Sequence, residues 1–132
     1  ILILALFGTA QYRGWSLFLD NGRPTFVYAA STNPAETMRI ASDRQLAQGA
    51  GKLRMRFTFL GFDKGADVTL TAGDQPLANG HIAKLFLSTS GLGETVDIGR
   101  DIGVPVTDYQ THRGALEGDV PHVSVSFDAR SR

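Results

Sequence analysis

Between Thr95 and Tyr109 the sequence TVDIGRDIGVPVTDY sets Asp97, Asp101 and Asp108 among glycines. Spaced carboxylates on a glycine-rich loop are the raw material of a calcium site, which draws on about six to eight oxygens. The competing reading, which the pattern favours, is structural. The aspartates accept loop backbone N–H bonds or pair with Arg100 and Arg113, and Gly99 and Gly103 relieve φ strain. Two cations offer a different chemistry. Arg54 and Arg56 stand two residues apart in LRMRFTF, on one face of an extended chain, where a sulfate or carboxylate could be held. A solvated strand face would carry the same residues. The hairpin aromatics Trp15, Phe18, Phe26 and Tyr28 could stack on the apolar face of a sugar or fill a core, and the core is the favoured use. His81, His112 and His122 lack the spacing of a metal pair and read as loop or strand-edge residues. No cofactor is expected.

Period-2 alternation supplies the elements that must position these groups. Leu53, Met55, Phe57 and Phe59 share one face of LRMRFTF, opposite Arg54, Arg56 and Thr58. DVTLTA repeats the pattern with Val68, Leu70 and Ala72, and HVSVSFD with Val123, Val125 and Phe127. GWSLFLDNGRPTFVY reads as a hairpin, because Asn21-Gly22 suits the positive φ values of a type I′ turn. Pro24 interrupts the ladder early in the return strand, which is therefore expected to begin at an edge. Further strands are expected over residues 36–42, 80–87 and 94–98, and the apolar run ILILALF reads as a buried strand. Residues 43–50 suit one short helical turn, ended by Gly49 and Gly51. About eight short strands punctuated by turns predict an all-β fold of two packed antiparallel sheets, a jelly-roll-like β-sandwich.

The chain of 132 residues is 42% hydrophobic, enough for one domain, residues 1–132, to bury a core without metal or disulfide staples. Lys plus Arg equals Asp plus Glu at 13 each, so no bulk charge draws the chain to nucleic acid or anionic membrane. ILILALF is too short to span a bilayer and lacks the basic flank of a signal peptide. The absence of cysteine is compatible with either redox compartment, which leaves localisation open. A start at Ile1 without an initiator methionine leads to the expectation of a processed or excised piece of a larger protein.

The succession GWSLFLDNGRPTFVY, SDRQLAQGAGKLRMRFTF, GADVTLTAGDQPLANGHI and ETVDIGRDIGVPVTDY resembles the β-sandwich domain that closes many bacterial arylsulfatases. The resemblance covers nearly the whole chain. Asp97, Gly99, Asp101, Gly103, Pro105 and Val106 match that family's DxGxDxGxPV loop. Asp74, Gln75 and Pro76 depart from its usual DG turn, and residues 88–93 are glycine-rich where its strand commonly continues. The resemblance implies a concanavalin-like or laminin-G-like sandwich belonging to a sulfuric ester hydrolase, with a sulfatase catalytic domain or another subunit as partner. A sulfatase centre needs Cys or Ser in a C/S-x-P-x-R context, converted to formylglycine, and carboxylates around a divalent cation. The nearest context here is STNPAE, with Thr32 at the nucleophile position and Glu36 at the arginine position. Catalysis by this chain alone is not expected.

Some concanavalin-like sandwiches are glycosidases with an E-x-D-x-x-E strand. Glu117 and Asp119 begin that pattern, but position 122 is histidine, so a polar turn is the reading taken. Two functional classes follow from the sequence. One is a non-catalytic domain packing on a sulfatase catalytic unit, and the other is a lectin-like carbohydrate-binding module. Trp15, Tyr28, Arg54 and Arg56 are the candidate ligand or interface residues. For the aspartate loop, millimolar calcium is expected to leave the melting temperature unchanged and to give no calorimetric heat. A saturable rise in melting temperature would instead assign Asp97, Asp101 and Asp108 as ligands.

Overall fold

The computed structural model describes residues 4–5, 14–31, 33–47, 49, 51–85, 97–98, 107 and 122–126. The protein is all-β, and among the described residues there is no α-helix. Strands β2 (Gly14–Asp20), β3 (Arg23–Ala29) and β4 (Thr37–Ala41) form one antiparallel sheet in the order β2-β3-β4. Strands β5 (Leu53–Gly61), β6 (Gly65–Ala72) and β7 (Gln75–Ile82) form a second, in the order β5-β6-β7. A short ladder joins β1 (Leu4–Ala5) to β8 (Asp97–Ile98), pairing Leu4 with Ile98 and Ala5 with Asp97.

The two three-stranded sheets share one core, as in a small β-sandwich. Leu17, Phe26, Tyr28, Ala30 and Ile40 from the first meet Val68, Leu70 and Ile82 from the second, with Trp15, Met38, Leu53 and Met55 packed around them. Alternation explains the choice, since Phe26 and Tyr28 lie opposite Leu17 and Trp15 on one side and Ile40 and Met38 on the other. The second face of β3 is buried as well, at Thr25, Val27 and Ala29, which accounts for its nearly unbroken apolar run TFVYAA.

The first hairpin turns as the sequence predicts, with Asn21 at φ 49 and Gly22 at φ 77, the type I′ signature. Pro24 behaves differently, because β3 is the central strand of its sheet. The proline carbonyl accepts from Ser42 N at 2.9 Å, just past the end of β4. The ring therefore occupies the last rung, where the missing N–H leaves no ladder partner orphaned.

Other boundaries shift. Pro34–Glu36 form a 3₁₀ turn capped by Asn33, whose side chain accepts from Ala35 N, so the strand expected from residue 36 begins at Thr37. Residues 43–47 form no helical turn; Ser42 Oγ accepts from Arg44 N at 3.1 Å and donates to Arg44 O at 2.9 Å, a local polar closure that competes with helix. The strand expected at 80–87 begins five residues earlier, at Gln75, and Pro76 is accommodated because β7 is the last strand of its sheet. Residues 122–126 are not a strand, and Val125 is 57% exposed.

Two glycines fix the second sheet. Gly65 opens β6 at φ 75, and a Cβ there would sit 1.8 Å from Ile82 O. Gly80 faces the first sheet, and a Cβ there would sit 2.7 Å from Ile40 Cδ1. Gly65→Ala is expected to cost about 2 kcal/mol or more, since left-handed strain adds to a backbone clash. Gly80→Ala should cost about 1–3 kcal/mol by overpacking. Adding Ile40→Val to Gly80→Ala should restore part of that loss, and strictly additive urea-unfolding energies would refute the contact.

Candidate functional site

The aromatic hairpin is core. Tyr28 is 5% exposed and Phe26 fully buried, and the Trp15 and Phe26 rings lie 5.9 Å apart. Tyr28 therefore presents no ring face to a sugar, and Trp15 is half-buried against the same cluster. Phe18 is buried on the opposite face of its sheet, with the Arg39 guanidinium 5.6 Å from its centroid and donating to Asp20 Oδ2 at 2.6 Å.

The aspartate loop is only partly visible. Asp97 lies in β8, opposite Ala5, while Asp101 and Asp108, with Glu117, Asp119 and His112, lie outside the described residues. Among the described residues no group of three or more His, Asp or Glu side chains is placed to hold a metal ion.

The STNPAE segment has a clear local role. Ser31 Oγ donates to Glu36 Oε2 and accepts from Asn33 N, while Lys84 Nζ donates to Glu36 Oε1. Glu36, which stands where a sulfatase motif has arginine, thus links the β3–β4 connection to the residues after β7. The serine hydroxyl is committed as a donor to a carboxylate whose charge the lysine balances. This arrangement ties two segments together.

Arg54 and Arg56 are both exposed on the face of β5 that turns away from the core. The register extends that face into a polar array. Arg54 lies opposite Thr71, Arg56 opposite Thr69, and Thr58 opposite Asp67; Thr69 and Asp67 in turn lie opposite Asn79 and His81. Asp67 Oδ1 lies 2.7 Å from His81 Nδ1, with both side chains about half exposed. A carboxylate only accepts, so the contact sets the proton on Nδ1 and leaves Nε2 as the ring's remaining polar atom. Asp67, Thr69, Asn79 and His81, with Val68 and Gly80 between them, line an open groove of about 390 Å³.

This pairing of Asp67 with His81 was invisible to spacing alone. The β6–β7 loop pairs Ala72 with Gln75 and Thr71 with Pro76, but Leu70 then pairs with Ala78, leaving Leu77 as a bulge. Without it, Val68 would face Asn79 and Ala66 would face His81, and both polar side chains would enter the core.

The apolar face of the same sheet runs out at its edge. Phe57 is 41%, Phe59 38% and Phe62 66% exposed, and the Phe59 and Phe62 rings meet edge-to-face at 5.1 Å. Alternation had assigned Phe57 and Phe59 to the core side. They do face that side, opposite the buried Val68 and Ala66, but on an outer strand of the sheet, where they stay partly exposed.

Comparison of the chain with protein-family models, with curated proteins and with solved structures found no match.

Core and surface assignments here separate by stability. Tyr28→Ala is expected to cost about 3–5 kcal/mol by cavity formation. Arg54→Ser with Arg56→Ser should stay within about 0.5 kcal/mol. A Tyr28→Ala protein as stable as the parent would contradict the placement of that ring.

Proposed function

We propose that the chain is a non-catalytic accessory domain of an arylsulfatase-like sulfuric ester hydrolase, packing on the catalytic domain through the β5–β6 end of its second sheet. The observation that carries this reading is the exposed phenylalanine edge. Phe57, Phe59 and Phe62 together offer an apolar surface where the rest of β5 alternates with arginine and threonine. Aromatic side chains supply the anchors of protein interfaces because each removes a large rigid area from water, worth about 1.5–3 kcal/mol when fully buried. The motif resemblance, which spans nearly the whole chain, supports a sulfatase catalytic domain as the occupant.

The carbohydrate module is less well supported in its aromatic-platform form, since Tyr28 and Phe26 are spent on the core. Jelly-roll topology belongs to the same proposal, resting on the resemblance and on the paired sheets.

The test is a binding titration of the chain against an arylsulfatase catalytic domain lacking its own C-terminal sandwich, followed by sedimentation velocity. A one-to-one complex is expected, with affinity falling at least about tenfold in the Phe57→Ser/Phe62→Ser variant. A chain that stays monomeric beside the catalytic domain, or a complex indifferent to both substitutions, would overturn the reading.

A further inference from the structure

The outward face of the β5–β6–β7 sheet is a second surface, turned away from the core and chemically unlike the phenylalanine edge. Its single carboxylate among the paired positions, Asp67, is engaged by His81. Arg54 and Arg56 form no ion pair among the described residues, so this face carries surplus positive charge although the whole chain is neutral. The two guanidinium groups stem from backbone positions about 7 Å apart along the strand, and each neighbouring strand lies about 5 Å away. Alongside them the register sets Thr69, Thr71, Asn79 and His81, so donors and acceptors extend across the sheet to the groove of about 390 Å³.

That combination selects a ligand class. A guanidinium fork matches the oxygens of a carboxylate or a sulfate ester and keeps its charge at any physiological pH. Threonine hydroxyls, an amide and an imidazole nitrogen match sugar hydroxyls, which both donate and accept. The paired rows of this face contain no Phe, Tyr or Trp, so neither base stacking nor a neutral sugar's apolar face finds a large aromatic platform. We propose that this face binds an anionic polysaccharide, with Arg54 and Arg56 pairing its acid groups and Thr69, Asn79 and His81 hydrogen-bonding its hydroxyls along the groove. The site is independent of the docking edge, and either could fail without the other.

The experiment measures binding of the 132-residue chain to immobilised polygalacturonate, dextran sulfate, uncharged dextran and single-stranded DNA at one fixed salt concentration. Binding to polygalacturonate or to dextran sulfate is expected, and whichever is tighter identifies carboxylate or sulfate as the acid group. Arg54→Ser/Arg56→Ser should weaken binding about tenfold or more, through loss of charge-assisted hydrogen bonds. Asn79→Ala should weaken it about threefold or more through loss of a directional contact. Arg23→Ser, at the start of β3 in the first sheet, removes a charge from the other sheet and should leave affinity within about twofold. Circular dichroism and melting curves check that each variant is folded. The proposal is overturned if neither acidic polymer binds, or if uncharged dextran or DNA binds equally well. It also fails if Arg23→Ser costs as much as the arginine pair, or if Asn79→Ala costs nothing.

Discussion

Ile40 seated against Gly80 sets the distance between the two sheets. The Ile40 side chain comes so near the Gly80 backbone that even a methyl group there would collide with it, and the pair lies where β4 and β7 run beside one another without sharing a ladder. Around that point Phe26, Leu70, Ile82 and Val68 reach complete or nearly complete burial. Close packing makes such a contact decisive, because a dense core transmits a change of one methylene to its neighbours. The position of the polar groove follows from the same residue, since Gly80 turned inward is what leaves Asn79 and His81 on either side of it turned outward.

The bulge at Leu77 makes that orientation possible. It changes the parity of β7 between Pro76 and Ala78, sending glycine rather than asparagine toward isoleucine. Burying Asn79 and His81 without partners would cost several kcal/mol by typical desolvation penalties, so the sheet inserts one residue and keeps its two faces chemically distinct. Leu77, the inserted residue, still packs against the core. The outward face thereby gathers Arg54, Arg56, Thr69 and Asn79, and the inward face ends in the phenylalanines of β5.

The two proposed surfaces thus arise from one sheet by different means. Strict alternation produces the cationic face. The apolar edge arises because β5 is an outer strand of its sheet, so its inward residues Phe57 and Phe59 are covered by a neighbour on one side only, and the turn that follows adds Phe62. Gly65 makes that turn compact by letting the backbone approach Ile82 O. The Ser31–Glu36–Lys84 bonds hold a separate corner and take no part in either surface.

Sequence alone determined the all-β class, the Asn21-Gly22 turn, the strands around Leu53, Val68 and Phe26, and the outward direction of Arg54 and Arg56. Each is a local consequence of period-2 patterning or of the φ values a residue tolerates, so a short window of sequence contains its cause. Tertiary structure decided the rest. Pro24 occupies a central strand because β4 ends where the missing N–H would have been needed. His81 meets Asp67 because a bulge ten residues away from Asp67 resets the register. Phe57 is exposed, although it lies opposite the buried Val68, because β5 is an outer strand of its sheet. In each case the cause is the length, order or register of neighbouring strands, which pair through backbone groups common to all residues and leave no mark on the local sequence.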